Sequence, residues 1–264
     1  MIDRMPIRYY GGKWRLADWI ISFFPKHGHY VEPCGGGASV LLKKNPAKLE
    51  TYNDLDVEIV NFFSVLRNKP DALVDSIKLT PWSRTELEMA AEDSVLHSSL
   101  ERARRFWIKC WLSIGGAGEP TSFRISKKVS ATPASILRNA DYLYAVADRF
   151  IGVQLECIDA LDCIDRYDGA DTLIYFDPPY MTDTRSHKKQ YLVECGDAWH
   201  TLASVKLKAC KAFVVVSGYV NAAYKELYCD WERFDKDTLC NSGTKNVESV
   251  WLNPRLSEER RKGL

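Results

Sequence analysis

The stretch that most constrains this chain is Thr172-Leu173-Ile174-Tyr175-Phe176, an apolar run halted by Asp177-Pro178-Pro179-Tyr180. A run of this kind suits a strand buried on both faces. The two prolines end it, because neither donates to a ladder and each biases its predecessor toward extended geometry. A rigid polar lip results, where the Asp177 carboxylate and the Pro178 carbonyl face one pocket as two acceptors. Tyr180 offers a flat surface beside them. Two acceptors and a stacking face suit an exocyclic amine on a planar base.

Aspartate and proline also punctuate ordinary turns, so the four residues alone leave a plain strand-ending turn open. Placed after an apolar strand, Asp-Pro-Pro-Tyr resembles the catalytic motif of amino-group methyltransferases that use S-adenosylmethionine. The rest of the chain is then asked for a cofactor site and a substrate surface.

With 264 residues, 46% of them hydrophobic, the chain has ample material for a core, as one large domain or one domain with an insertion. No apolar run approaches a membrane span and the N-terminus lacks a signal-peptide region, which gives a cytoplasmic expectation. The eight cysteines are scattered with no Cys-x-x-Cys pair, so neither a metal site nor a disulfide framework is expected, only reduced and mostly buried thiols. Net charge is +1, but charge is unevenly distributed. Between Glu101 and Ala140, eight basic residues (Arg102, Arg104, Arg105, Lys109, Arg124, Lys127, Lys128, Arg138) face Glu101 and Glu119; between Ile151 and Tyr180, seven acids face Arg166. Such a division is expected where one surface meets phosphate, and also where a helix face is merely solvated.

Near the N-terminus, Arg8-Tyr9-Tyr10-Gly11-Gly12-Lys13 precedes an expected helix from Trp14 to Phe24. Paired glycines admit a ligand close to the backbone, and a lysine entering a helix adds a cation beside exposed amides, so this reads as an anion site or an ordinary turn. His29 to Leu42 then reads as a strand, the turn Glu32-Pro33-Cys34-Gly35-Gly36-Gly37, and a helix start. In nucleotide-binding layouts of that type an acid is expected about 20 residues on, at the end of the next strand. Asp54 closes Leu49 to Asp54 at that place. The spacing does not give Gly-x-Gly-x-x-Gly, which disfavours a dinucleotide.

Taken in order, Arg-Tyr-Tyr-Gly-Gly-Lys at 8–13, Glu-Pro-Cys-Gly-Gly-Gly at 32–37, Asn-Asp at 53–54 and Asp-Pro-Pro-Tyr at 177–180 resemble the Dam-type (D12 class) DNA adenine-N6 methyltransferases. The resemblance implies catalytic roles for Asp177, Pro178, Pro179 and Tyr180. It implies S-adenosylmethionine contacts for Tyr9, Tyr10, Gly11, Gly12, Lys13, for Glu32, Pro33, Cys34, Gly35, Gly36, and for Asp54, Asp159 and Asp177. Asp159 is equally a helix N-cap for Ala160 to Tyr167. One departure is Cys34, where the family usually carries phenylalanine.

The fold expected is α/β: a Rossmann-like class I methyltransferase mixed sheet with helices on both faces, formed by 1–66 and 134–264. A mostly helical target-recognition insertion is expected over 67–133. Within it, Leu73 to about Leu112 is helix-like with a breaker at Pro81 to Ser83, and its tryptophans read as packing rather than stacking. Pro133 to Phe150 reads as one helix. Asp197 to Ala209 reads as a helix, Phe213 to Tyr219 as a buried strand, Asn241 to Pro254 as a hairpin, and Ser257 to Leu264 as a charged tail. Double-stranded DNA is the expected partner, with contacts at Arg124, Lys127, Lys128, Arg185, Lys188 and Lys189. The pattern of GATC-specific members is absent, so that site is not implied. RNA adenine, DNA cytosine N4 and protein glutamine stay open as other planar amines.

Overall fold

The computed structural model describes residues 2–92, 97–114, 122–125, 133–179, 195–239 and 245–263. Among these, the strands β1 (His29–Glu32), β2 (Leu49–Asn53), β3 (Gln154–Glu156), β4 (Thr172–Phe176), β5 (Phe213–Tyr219), β6 (Glu232–Leu239) and β7 (Lys245–Leu252) form one sheet. Its order is β3-β2-β1-β4-β5-β7-β6. The first five strands run parallel, and β7 returns antiparallel between β5 and β6. Connections leave β1 toward β2 on one side, while β4 and β5 build the other side. The chain therefore opens a crevice beyond the carboxyl ends of β1 and β4, where ligands bind in open parallel sheets.

Alternation along the central strands shows why both faces had to be covered. Tyr30, Tyr52, Leu173, Tyr175 and Val215 enter one apolar cluster, while Val31, Ile174, Phe176, Val214 and Val216 enter the other. On the first face lie α2 (Ser39–Lys43), α3 (Val57–Asn68) and α8 (Tyr142–Arg149); on the second, α9 (Ala160–Tyr167), α10 (Asp197–Ala209) and α11 (Ala222–Leu227). The helices α4 (Pro70–Lys78), α5 (Arg84–Ala91) and α6 (Ser99–Leu112) share the first cluster through Leu73, Leu87, Phe106 and Trp107. Ser83 and Ser98 cap α5 and α6, each accepting from the glutamate three residues on. Trp107 and Trp111 are packing residues, both donating to the Pro6 carbonyl at 3.1 Å.

Several boundaries differ from expectation. The N-terminal helix is only α1 (Ala17–Ile21), because both ends tighten into i to i−3 turns, Leu16 N–H to Lys13 O and Phe24 N–H to Ile21 O. The single helix expected over 133–150 is split into α7 (Pro133–Arg138) and α8, and at the break the Asn139 side-chain amide and its backbone N–H both donate to Ser135 O, at 2.7 and 3.1 Å. The hairpin is longer and begins at β6, an edge strand whose alternating charges hid it. The charged tail is α12 (Pro254–Lys262), started by proline and capped by Asn253. The seven described thiols are free but not mostly buried: Cys110 and Cys163 are buried, Cys34, Cys195 and Cys210 half-buried, Cys157 and Cys229 exposed, and Cys240 lies outside the described residues. Among the described residues no helix is long and apolar enough to cross a membrane and no metal-ligating cluster is present.

Candidate active site

A cavity of about 280 Å³ opens at the switch between β1 and β4. Three segments build its walls: 9–13 ahead of α1, the 32–37 turn after β1, and 54–56 after β2. Asp159, Ala160, Tyr175, Asp177, Pro178 and Pro179 close it from the other strands, with Cys195 and Trp199 on the far rim. All thirteen positions that the resemblance assigned to a cofactor thus border one space, together with Pro178 and Pro179. Tyr180, Lys127, Lys128, Arg185, Lys188 and Lys189 lie outside the described residues.

The glycine turn is shaped by what it touches. A Cβ on Gly35 would come within 2.1 Å of the Tyr52 ring, and Gly36 has φ +47° with the Tyr9 ring 3.1 Å from where its Cβ would stand. Both positions therefore need glycine. The Tyr52 hydroxyl donates to Gly36 O at 2.6 Å. Asp54 Oδ2 accepts from Gly36 N–H at 2.8 Å, so the acid after β2 grips the turn after β1. Burial lifts the Asp54 carboxyl to about 6, against the pull of its backbone N–H bonds from Asp56 and Gly36. Asp159 caps α9, accepting from Leu161 N–H at 2.7 Å, and also borders the cavity.

At the other end of the cavity Lys13 is turned onto Asp177, not onto helix amides as the anion-site reading supposed. Its Nζ lies 2.8 and 3.0 Å from the two Asp177 oxygens, 3.0 Å from Gly11 O and 3.5 Å from Glu248 Oε1. The side chains of Lys13 and Glu248 are each 3% exposed, whereas Asp177 keeps 17%, so the carboxylate has an open edge. Ser217, on β5, donates to Asp177 Oδ1 at 2.8 Å and bonds the Tyr175 hydroxyl at 2.8 Å. Burial would lower the Lys13 ammonium, but Asp177 and Glu248 reverse this and hold it well above its ordinary value. Burial raises Asp177, and Lys13 and Ser217 draw it back only in part. Glu32, with the Tyr30 hydroxyl donating at 3.2 Å, is pushed by burial to about 8. The arrangement is an acceptor held in register by a cation and a hydroxyl at the wall of the cavity.

Glu248 was not singled out as a site residue from sequence, and the contact of Ser217 with Asp177 was not expected. The available signals were polar residues inside otherwise apolar strand patterns, Val216-Ser217 on β5 and Glu248 before Val250-Trp251 on β7. The basic segment needs a correction. Arg102 pairs with Glu58, Arg104 with Glu101 and Glu86, and Arg105 with Glu101. These charges knit α3, α5 and α6 together and are not a phosphate surface. Arg124 differs, having no ion pair among the described residues, and its charge lies close enough to Arg8 to depress it, after burial.

The mixed seven-stranded α/β sheet with its antiparallel β7, and the glycine turn and Asp-Pro-Pro lip at its switch point, are consistent with a Rossmann-like methyltransferase fold. Residues 9–104 match the model of the D12 class N6 adenine-specific DNA methyltransferase family. Over 97 residues, 35% of the chain, the sequence is 32% identical to Modification methylase StsI of Streptococcus sanguinis, of which that stretch spans 14%. The family match takes in the Gly-Gly-Lys segment, the glycine turn and Asp54, and ends ahead of Asp177.

Proposed function

We propose that the protein transfers a methyl group from S-adenosylmethionine to N6 of adenine in double-stranded DNA. The observation that carries this reading is the Asp177 carboxylate, fixed by Lys13 and Ser217, with its open edge in the cavity bordered by the glycine turn. Tyr9, Tyr10, the 32–36 turn, Asp54 and Asp159 would hold the cofactor. The Asp54 carboxylate suits ribose hydroxyls, and the packed glycines let a ligand approach the backbone. When bound, the cofactor supplies a methyl carbon made electrophilic by its sulfonium.

An adenine inside a duplex cannot reach this cavity, so the base must be rotated out, at a cost of a few kcal/mol. Stacking on Tyr180, worth roughly 1–3 kcal/mol, offsets part of that cost. Asp177 and the Pro178 carbonyl then accept the two N6–H bonds. They orient the nitrogen lone pair and stabilise the positive charge that grows on N6. The N6 proton passes to Asp177, whose raised affinity for protons suits a weak base. The methylated ammonium is acidic enough not to need a stronger one.

DNA reading falls to the 67–133 segment. Arg124, without a carboxylate partner among the described residues, suits phosphate or a base edge, while Arg8 beside it donates to Ser113 O and Ile114 O just past α6. The test is a methyl-transfer assay with radiolabelled cofactor and DNA, RNA and protein side by side. Label in DNA alone is expected; label confined to RNA or protein overturns the assignment.

A further inference from the structure

Glu248 is a buried carboxylate for which the chemistry above has no direct use. It stands within β7, opposite Tyr219 of β5 and Lys236 of β6. Its Oε1 makes no hydrogen bond and lies 3.5 Å from Lys13 Nζ. A buried carboxylate is costly in a strand interior, where valine would pack without penalty, unless a cation offsets it, and here that cation is Lys13. Lys13 thus sits between two carboxylates, Asp177 on the β4 side and Glu248 on the β7 side. One cation cannot neutralise both when both are ionised, so the three groups take up and release protons as a unit.

We propose that Glu248 is a positioning residue for Asp177: it holds Lys13 from the β7 side and competes for its charge, leaving Asp177 able to take the amine proton. The inference rests on reading Asp177 as the amine acceptor. As the N6–H bond breaks, N6 keeps the electron pair, an O–H bond forms on Asp177, and Lys13 remains paired with ionised Glu248. No charge is stranded in the buried cluster. Without Glu248 the lysine would bind Asp177 alone and hold it in the ionised state. Other titratable groups acting on the cluster are Tyr175 and Glu32, beside Lys13 and Asp177, with Tyr224 and Cys34 facing Asp177; Lys236, opposite Glu248 in the ladder, has its ammonium 5.5 Å from the Trp19 ring. Burial raises the Glu248 carboxyl to about 7 against the pull of Lys13.

Glu248→Gln keeps the shape and removes the competing charge. The acidic limb of its kcat profile is expected to move down by at least half a pH unit, with KM for the cofactor within twofold of the parent. A purely structural role would lower stability and leave the limb in place. An active Gln variant with the parent profile overturns the proposal. Should the variant fail to fold, carboxyl carbon NMR of the glutamate-labelled parent decides: Glu248 titrating near neutrality, coupled to Asp177, supports the proposal. Titration in the ordinary range of about 4.3 overturns it. A parent that methylates no DNA defeats the functional reading, while the NMR titration still reports on the cluster.

Discussion

Replacing Lys13 with methionine removes the one cation that Asp177 and Glu248 share while filling much the same volume. Lys13 and Glu248 are each 3% exposed and Asp177 17%, so water does little to screen the two carboxylates left behind. Breaking a buried pair by deleting one partner costs about 3–5 kcal/mol. The cost must depend on pH. With the lysine gone, both carboxyls bind protons more tightly folded than unfolded, so the variant keeps its stability at low pH and loses it as pH rises above the unfolded carboxyl range. Urea unfolding without cofactor is therefore expected to show a small deficit at pH 4 and the full deficit at pH 8, equivalent to roughly 10 °C in Tm. A deficit under about 1 kcal/mol, or one equal at both pH values, would refute the buried-cluster argument.

Other outcomes follow from the same geometry. Asp177→Ala should abolish methyl transfer and leave DNA affinity within a fewfold of the parent, measured by filter binding. Asp54→Asn should weaken cofactor binding by about 10- to 100-fold, the worth of hydrogen bonds to a charged group, as read by calorimetry; an unchanged Kd would remove Asp54 from the site. Arg124→Ala should lower the salt slope of DNA binding by about one, whereas Arg104→Ala should leave the slope alone and lower stability. Glu32→Gln should flatten the fall in stability between pH 5 and pH 9, because a carboxyl raised to about 8 in the fold contributes stability at low pH that is lost as pH rises through that value.

What the sequence made legible was set by how local each signal is. The strand and its lip at 172–179, the glycine turn and Asp54 are contiguous patterns whose chemistry shows in a few letters, and one cavity gathers them. The helix α10 and strand β5 stand at the bounds read for them, since each is a clean apolar pattern closed by a glycine or a turn. The edge strand β6 and helix α12 were missed because their apolar content is low. They are stabilised from outside, β6 by its ladder to β7, and α12 by Leu256 in the core and Arg260, 4.8 Å from the Phe23 ring. The basic segment misled for a similar reason. A count of charges along the chain cannot see that Glu58 and Glu86 come from other helices to neutralise Arg102 and Arg104. Lys13 and Glu248 meet across more than 200 positions of sequence, a pairing that no local pattern encodes.

The most direct measurement of the central claim is mass analysis of nucleosides from double-stranded DNA incubated with S-adenosylmethionine and the protein, beside the Asp177→Ala variant. N6-methyl-2′-deoxyadenosine is expected with the parent and none with the variant. Methylcytosine in place of methyladenine, or equal product from both proteins, would contradict the account.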